Sequence, residues 1–538
     1  MVFVASSAVL FIFDRFSHPA LPAYIVAGIL VGNFFPAEEM ITFTQIGLSF
    51  LVFIFGVKVD PERLYSVASD SLKTTLVQIT SISLLGALIS YFLGLNGFES
   101  MVFILATSLS STLVGLNLLE NEIDLKLAHG RMAESIHLSQ DIIAVFFLMI
   151  LGSSVFTFEA VTTSLLHGTG VLILALIFRT YLFDHIVALT EGSRELLMLV
   201  SITVLISFLG LTEFFQVSLA IGSFAAGFSV SKYPHNMGIL DTTGSLKDFF
   251  SAIFFVSLGA LLTVPTTEVL SISAVMTAIT VLIKPYIVTA SLVGLGQNER
   301  TSYLTGFSIN QVSEFSLIIT IQALLAGMIS ETLFQSVIIT ATASMMISSY
   351  TAKHGDRLYN LLSRIEPLPT HRDDSKVSHD LEDHVIVLGY DTQGRRIVEK
   401  LKKENTKFVV IENDPEKISD LEEKEEKFVY GDIMNSKTWE RASARDAKLI
   451  ISTVPLKKAS EEVIKLETDA DIILRSRKVE DAHDLLEDGA MYVSVPKILT
   501  SELLLDHIEG IMENKQYREE LRRKNMLEIR RYLQSREG

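Results

Sequence analysis

An α-helical membrane domain of about thirteen transmembrane helices, followed by a C-terminal α/β Rossmann-like domain, is the fold class that three observations predict. Apolar runs of membrane-spanning length recur from the N-terminus to residue 351. Charge density then rises more than twofold: residues 1–352 hold 12 Lys and Arg against 23 Asp and Glu, and residues 353–538 hold 33 against 39. Beyond residue 383, short β-rich apolar runs alternate with helical patterns, as a parallel sheet requires. The expected boundaries are a transmembrane domain over 1–352, a linker over 353–383, a Rossmann-like domain over 384–507 and a charged helix over 508–538.

Composition removes several function classes. Both parts are acidic and the net charge is −17, which argues against a nucleic-acid partner. The absence of cysteine excludes disulfides, thiolate metal sites and thiol redox sensing within the chain. The first apolar run is followed by Asp14 and Arg15 and not by a small-residue cleavage site, so no cleavable signal peptide is expected.

On the rule of roughly 20 apolar residues per span, helices are expected near residues 1–14, 20–35, 41–57, 71–94, 98–120, 129–153, 160–178, 195–211, 214–231, 247–263, 269–295, 301–327 and 331–351. Connection charge checks the count, because cytoplasmic loops collect Lys and Arg. Alternate connections carry Arg15; Lys58 and Arg63; Lys126 and Arg131; Arg179 and Arg194; Lys232 and Lys247; and Arg300. The intervening ones carry no basic residue. The expected topology is a multi-pass protein of the cell (inner) membrane, in contact with lipid, with its N-terminus outside and its soluble domain in the cytoplasm. The stretch 179–195 is expected to lie along the cytoplasmic interface as an amphipathic segment.

Three polar interruptions stand out: Thr107-Ser108-Leu109-Ser110-Ser111-Thr112 in the fifth helix, Gln140-Asp141 in the sixth, and Ser308-Ile309-Asn310-Gln311-Val312-Ser313-Glu314 in the twelfth. In the eleventh, Lys284-Pro285 sets a cation beside a helix breaker. A carboxylate at bilayer depth costs at least a few kcal/mol and marks a functional site. If helices 1–6 repeat as 8–13, the fifth and twelfth are counterparts, and paired broken helices point to a midplane ion site. Asp141 and Lys284 near one cavity suit proton-coupled cation exchange, in which one carboxylate holds either H⁺ or a partly dehydrated alkali ion. The competing reading is a fixed Asp141–Lys284 ion pair that braces the fold. His137, one turn before Asp141, is read as a packing residue or a member of a proton relay.

These stretches, together with Ala23-Tyr24-Ile25-Val26-Ala27-Gly28, Phe55-Gly56-Val57-Lys58, Ala225-Ala226-Gly227 and Phe254-Phe255-Val256-Ser257-Leu258-Gly259, resemble the monovalent cation:proton antiporter-2 family, and more closely its Kef-type potassium/proton branch. The resemblance implies an inverted-repeat fold with a dimerisation domain and a moving core, working as a homodimer by an elevator-like shift. It implies that Asp141 holds K⁺ or Na⁺ in exchange for H⁺, with Lys284 close by. Gln140, Ser111 and Thr112 complete the ion- and proton-binding candidates, and Ser110, Gln311, Ser313 and Glu314 support the breaks. Electrogenic sodium/proton members tend to carry two adjacent acids, so Gln140 favours electroneutral K⁺/H⁺ exchange, with Na⁺/H⁺ exchange as the alternative. A nucleotide-gated potassium channel is the rival; it would want a Thr-Val-Gly-Tyr-Gly filter, which the sequence lacks. No catalytic His, Lys or Cys constellation accompanies the nucleotide fold, so no enzyme is expected.

In the soluble half, 384–388 reads as a buried strand, 389–394 as a turn, 395–403 as a helix and 408–412 as a second strand. Further strands are expected at 428–430, 449–453, 472–474 and 492–495. The turn keeps the first and third glycines of the dinucleotide fingerprint, Gly389 and Gly394, but puts Asp391 where the central one lets a pyrophosphate approach. Glu412 ends the second strand, at the position that bonds a ribose hydroxyl. The domain resembles the TrkA-N, or potassium-conductance regulatory, domains attached to Kef-type antiporters. That likeness implies an adenine nucleotide as regulator, held by Gly389, Tyr390, Asp391, Thr392, Gly394, Arg395, Glu412 and Asp432. Asp391 repels a diphosphate, so AMP is favoured over NAD(H); an empty structural domain is the third reading. A soluble regulatory partner is left open by the sequence.

Overall fold

The computed structural model describes residues 2–15, 18–59, 69–112, 114–115, 128–150, 158–190, 193–215, 217–232, 235–355, 358–359, 381–431, 433–434, 436–513 and 515–534. The chain divides into two compact units, Met1–His371 and Arg372–Gly538, each taken by itself below.

The first unit is helical: α1 (Val2–Arg15), α2 (Ala20–Val31), α3 (Ala37–Lys58), α4 (Ser69–Phe92), α5 (Gly97–Ser108), α6 (Ala128–Ile150), α7 (Phe158–Ile177), α8 (Phe183–Ala188), α9 (Arg194–Phe215), α10 (Leu219–Ser229), α11 (His235–Ala260), α12 (Thr267–Ala278), α13 (Lys284–Gly294), α14 (Glu299–Ser308), α15 (Glu314–Leu325) and α16 (Glu331–Lys353). Among the described residues, seven helices are long and apolar enough to cross a membrane, and four further apolar helices are shorter. The expected thirteen spans depend on joining short helices across their breaks, which length and composition alone do not establish. The stretch 179–195 differs from expectation. Its first half continues α7 through a π-turn, Phe178–Leu182, into α8, giving one 31-residue apolar helix.

A second π-turn, Ile279–Ile283, precedes Lys284-Pro285 and joins α12 to α13. Pro285 has no N–H and its ring crowds the carbonyl four residues back, so the helix widens there and does not stop. The two polar interruptions of the fifth and twelfth predicted helices are true breaks. α5 ends at Ser108, Leu109 is extended, and Ser110 and Ser111 lie outside any helix; α14 ends at Ser308 and α15 starts at Glu314.

Helices pack at backbone contact where glycines meet. A Cβ on Gly28 would lie 2.1 Å from the Val256 oxygen, and one on Gly259 2.1 Å from the Ile25 oxygen, so α2 and α11 touch through both residues. Gly56 and Gly227 play the same part for α3 and α10, with a Cβ on Gly227 only 1.9 Å from the Phe53 oxygen. These glycines lie in the family-like stretches quoted above, and close approach explains them. Gly227→Ala is expected to cost roughly 3 kcal/mol of helix packing. Thermal unfolding in detergent should show a lowered midpoint or loss of folded protein.

The second unit carries β1 (His384–Leu388), α17 (Thr392–Lys403), β2 (Phe408–Glu412), α18 (Pro415–Glu423), β3 (Phe428–Tyr430), α19 (Ser436–Arg441), β4 (Ala447–Ser452), α20 (Lys457–Ile464), β5 (Asp471–Arg475), α21 (Val479–Glu487) and β6 (Tyr492–Ser494). The strands form one parallel sheet in the order β3-β2-β1-β4-β5-β6, the doubly wound topology expected, with its switch point between β1 and β4. α22 (Pro496–Glu513) and α23 (Lys515–Gln534) follow. The charged terminal helix expected from residue 508 is thus the second of two helices, and the first already starts at the end of β6.

His384 opens β1 fully buried, with Nε2 2.9 Å from the Ala442 carbonyl oxygen. Burial holds its pKa below the ordinary histidine value. The folded domain therefore refuses a proton that the unfolded chain takes up below about pH 6.5. That stability is present above this pH and is lost as pH falls through it toward the folded-state value. Trp439, the single tryptophan, is buried with its indole N–H donating to the Ile433 oxygen at 2.6 Å. Urea unfolding followed by Trp439 emission should show a lower midpoint at about pH 5.5 than at about pH 7.5. His384→Gln should flatten that difference.

Candidate functional site

The two breaks lie side by side and are tied to each other. The Ser313 N–H donates to the Leu109 oxygen at 3.2 Å, the Ser110 hydroxyl to the Ile309 oxygen at 2.8 Å, and the Ser316 hydroxyl to the Leu105 oxygen at 3.3 Å. Breaking a helix frees carbonyls on one side and N–H groups on the other, and inside a bundle each needs a partner. Serine supplies the same answer on both second halves. Ser111 Oγ accepts from the Val114 N–H at 3.1 Å and Ser313 Oγ from the Phe315 N–H at 3.0 Å. The N-terminus of α15 thus lies at the crossing, together with the helical residues Thr112, Val114 and Gly115 that follow the first break.

Asp141, on α6, is buried and accepts a hydrogen bond from the Thr112 hydroxyl at 2.9 Å, in the first turn after the first break. Its carboxylate therefore lies against the residues that directly follow the first break. Glu314, which opens α15, and Lys58, at the end of α3, are charged neighbours that act on Asp141 through space.

Lys284 is fully buried and answers the opposite polarity. Its Nζ donates to the Gln311 oxygen at 2.9 Å and to the Leu109 oxygen at 3.4 Å, one carbonyl from each break. Among the described residues no ion pair joins Lys284 to Asp141, so the bracing pair that competed with the exchange reading is not formed. The ammonium braces the crossing through carbonyl dipoles instead.

Gln311 and Gln140 are both fully engaged. Gln311 Nε2 donates to the Ser111 oxygen at 3.1 Å and the Ser308 oxygen at 3.2 Å, and its Oε1 accepts from the Ser348 hydroxyl at 3.0 Å. Gln140 Oε1 accepts from the Ser110 N–H at 2.8 Å, and its Nε2 donates to Gln78 Oε1 at 2.8 Å. Sequence reasoning missed Gln78, Ser344 and Ser348. Ser344 Oγ accepts from the Val312 N–H at 3.1 Å. Gln78 carried a signal as a lone amide in the apolar run of α4; the two serines lie in a helix rich in hydroxyls, where nothing distinguishes them. His137 is buried, with Nδ1 2.7 Å from the Ala133 oxygen, the bond a packing histidine makes within its own helix.

In the second unit, the turn after β1 lies at the switch point of the sheet. Gly389 has φ +86°, which the absence of a Cβ permits, and a Cβ on Gly394 would lie 2.0 Å from the Gly389 oxygen. Both glycines therefore shape the turn. Asp391 caps α17, its Oδ1 accepting from the Gln393 and Gly394 N–H groups at 2.9 Å each. Glu412 Oε2 accepts from the Tyr390 N–H at 2.6 Å, and its Oε1 from Asn413 and Asp414 at 2.9 and 3.1 Å. The donors that a dinucleotide fingerprint offers to phosphate are thus taken by the chain's own carboxylates. The Tyr390 ring is buried against the Arg395 guanidinium at 5.2 Å, and burial pushes its hydroxyl above the ordinary value. Arg475, at the end of β5, reaches into the same crevice. Its Nη1 donates to the Thr453 oxygen at 3.3 Å and lies 3.8 Å from Asp391 Oδ2. Thr392 starts α17 beside them, and Asp432 lies outside the described residues.

Comparison with known proteins matches residues 2–354 to the model described as "Sodium/hydrogen exchanger, transmembrane" and residues 385–496 to the TrkA-N domain. A protein of Alkalimonas amylolytica named as a K⁺ efflux antiporter, KefB, is 25% identical over 526 residues, covering 92% of this chain and 78% of its own. One of Escherichia coli strain K12 named as a cation/proton antiporter, YbaL, is 25% identical over 520 residues, covering 91% and 92%. Among solved structures, the sodium proton antiporter MjNhaP1 of Methanocaldococcus jannaschii at pH 8 matches at 14% identity with a TM-score of 0.47, covering 66% of this chain and 95% of that one.

Proposed function

We propose a function from one premise: the chain belongs to the sodium/hydrogen exchanger transmembrane family, and it joins that domain to a TrkA-N domain. It is a multi-pass secondary active antiporter that exchanges K⁺ for H⁺ one for one. The observation that carries this reading is the buried Asp141 carboxylate, bonded by Thr112 where two broken helices cross. A carboxylate at that depth is stable with a proton or with a bound cation, and either one displaces the other. Thr112, Ser111 and Gln140 are the polar groups beside it; Ser110, Gln311, Ser313, Glu314 and Lys284 hold the breaks. Gln140 is neutral, so one charge is traded per cycle and no net charge crosses. The relative named as a K⁺ efflux antiporter supports K⁺ as the cation.

The chain works as a homodimer whose core shifts across the membrane in an elevator-like step. By the loop charges its N-terminus is outside and the TrkA-N domain is in the cytoplasm of a cell with this transporter in its inner membrane. AMP is the preferred regulator. Asp391 and Glu412 take three main-chain donors of the turn, which disfavours a diphosphate, while Arg475 supplies a cation for a single phosphate.

The test is ΔpH dissipation in proteoliposomes with K⁺ or Na⁺, with and without an imposed voltage. K⁺-dependent proton flux that voltage does not change is expected. Flux with Na⁺ alone, or flux that follows the voltage, would overturn the K⁺ or the electroneutral assignment. Calorimetry with AMP and NADH on the full chain tests the regulator, and the absence of any heat of binding would remove it.

A further inference from the structure

Gln78 is fully buried on α4, far in sequence from both breaks, and both ends of its amide are used. Its Nε2 donates to the Ser108 oxygen at 2.9 Å, the last carbonyl of α5, and its Oε1 accepts from Gln140 Nε2 at 2.8 Å. Gln140 Oε1 in turn accepts from the Ser110 N–H at 2.8 Å. Three hydrogen bonds therefore run in series from Ser110 through Gln140 and Gln78 to Ser108, across the two peptides at which the helix breaks. All four residues are at most 1% exposed, so water does not substitute for any of them.

The ends of this series cannot reverse. A main-chain N–H only donates and a main-chain carbonyl only accepts, so Ser110 and Ser108 fix the orientation of both amides. If Gln140 turned, its NH₂ would face the Ser110 N–H; if Gln78 turned, its oxygen would face the Ser108 carbonyl. Each unpaired buried group is costly. We infer that Gln78 is a positioning residue that holds Gln140 with its oxygen toward the first break, and that it makes residue 140 a site for an amide and not for a carboxylate. A carboxylate at 140 still accepts from Ser110 but sets its second oxygen against Gln78 Oε1, two acceptors in a buried place. Either Gln78 gives up Ser108, or the new carboxylate takes up a proton to donate to Gln78 Oε1 and thereby adds a second titrating acid beside Asp141. The inference rests on the reading of Asp141 as the exchanging group, since Gln140 is its chain neighbour.

The experiment uses the full chain in proteoliposomes, with K⁺-driven ΔpH dissipation and variants Gln78→Leu, Gln140→Glu, the double variant, and Asp141→Asn as reference. Gln78→Leu should raise the KM for K⁺ about tenfold, the scale of one lost buried hydrogen bond, with the maximal rate lowered less than about threefold. Gln140→Glu alone should lower transport about tenfold or more, and adding Gln78→Leu should recover most of it, a coupling that residues acting independently do not show. Unchanged KM in Gln78→Leu, or strictly additive effects in the double variant, would overturn the inference. If Gln78→Leu does not fold, Gln78→Met, which keeps the length, takes its place; failure of both while Gln140→Leu folds would assign Gln78 to folding alone and overturn the positioning role. The two readings are separable. An active Asp141→Asn variant removes the exchange site itself, whereas an inactive one with no coupling between 78 and 140 removes only the inference about Gln78.

Discussion

Asp141→Asn is expected to abolish cation-dependent proton flux, by on the order of 100-fold or more, the scale of removing a group whose proton transfer is essential. The substitution is conservative in shape. An asparagine oxygen still accepts from the Thr112 hydroxyl, 2.9 Å away in the native site, and the surrounding hydrogen bonds of Gln140, Ser110 and Lys284 do not involve Asp141. Folding should be kept for that reason, and thermal unfolding in detergent should stay close to the native midpoint. What is lost is the choice between two states. An amide neither releases a proton nor carries a charge to offer an alkali cation. Fluorescence of a pH dye in proteoliposomes after addition of K⁺ reads the loss directly. Full coupled transport by a folded Asp141→Asn protein would sink the site.

The parts of this site that were legible in the sequence are those whose chemistry conflicts with a bilayer. Asp141 and Lys284 are charges in apolar runs, and the hydroxyl-rich stretches 107–112 and 308–314 interrupt helices that otherwise read as spans. Their pairing was expected from matching positions in two repeats, and the bonds Ser110 to Ile309 and Ser313 to Leu109 join them. What the sequence does not carry is the choice of partner. Lys284 is a cation near an acid, and Coulomb's law alone pairs them; the structure gives the ammonium to two carbonyls, because the breaks expose main-chain acceptors that a residue string does not display. Gln78 and Ser348 were hidden for a related reason, since each meets its partner through a contact 30 or more residues away. In the soluble unit the alternation of strands and helices made the doubly wound parallel sheet legible, while the order of its strands comes from the structure. An acid at 391 reads as a repulsion toward diphosphate; that Asp391 also caps α17 follows from its standing just before a helix start, whose Gln393 and Gly394 N–H groups have no partner within the helix.

Lys284→Met is expected to be the most damaging change at the crossing after the loss of Asp141, and for a different reason. The lysine is completely buried, and its ammonium is stabilised by one carbonyl from each break. Methionine fills much of the volume but donates nothing. The Leu109 oxygen keeps the Ser313 N–H at 3.2 Å, so the group left without its donor is the Gln311 oxygen. A buried unpaired carbonyl costs about 1–3 kcal/mol, and the C-terminal ends of the first half-helices lose the positive charge that balances them. Both effects loosen the crossing that seats Thr112 against Asp141. Transport should fall more than about tenfold, with a lowered unfolding midpoint of corresponding size. Lys284→Arg keeps donors and charge in a larger head and should retain part of the transport while still destabilising, because the site has no room for the added atoms. A Lys284→Met protein with native stability and native flux would mean that the carbonyls of the two breaks need no cation, and the brace would have to be sought among the serine and glutamine bonds alone.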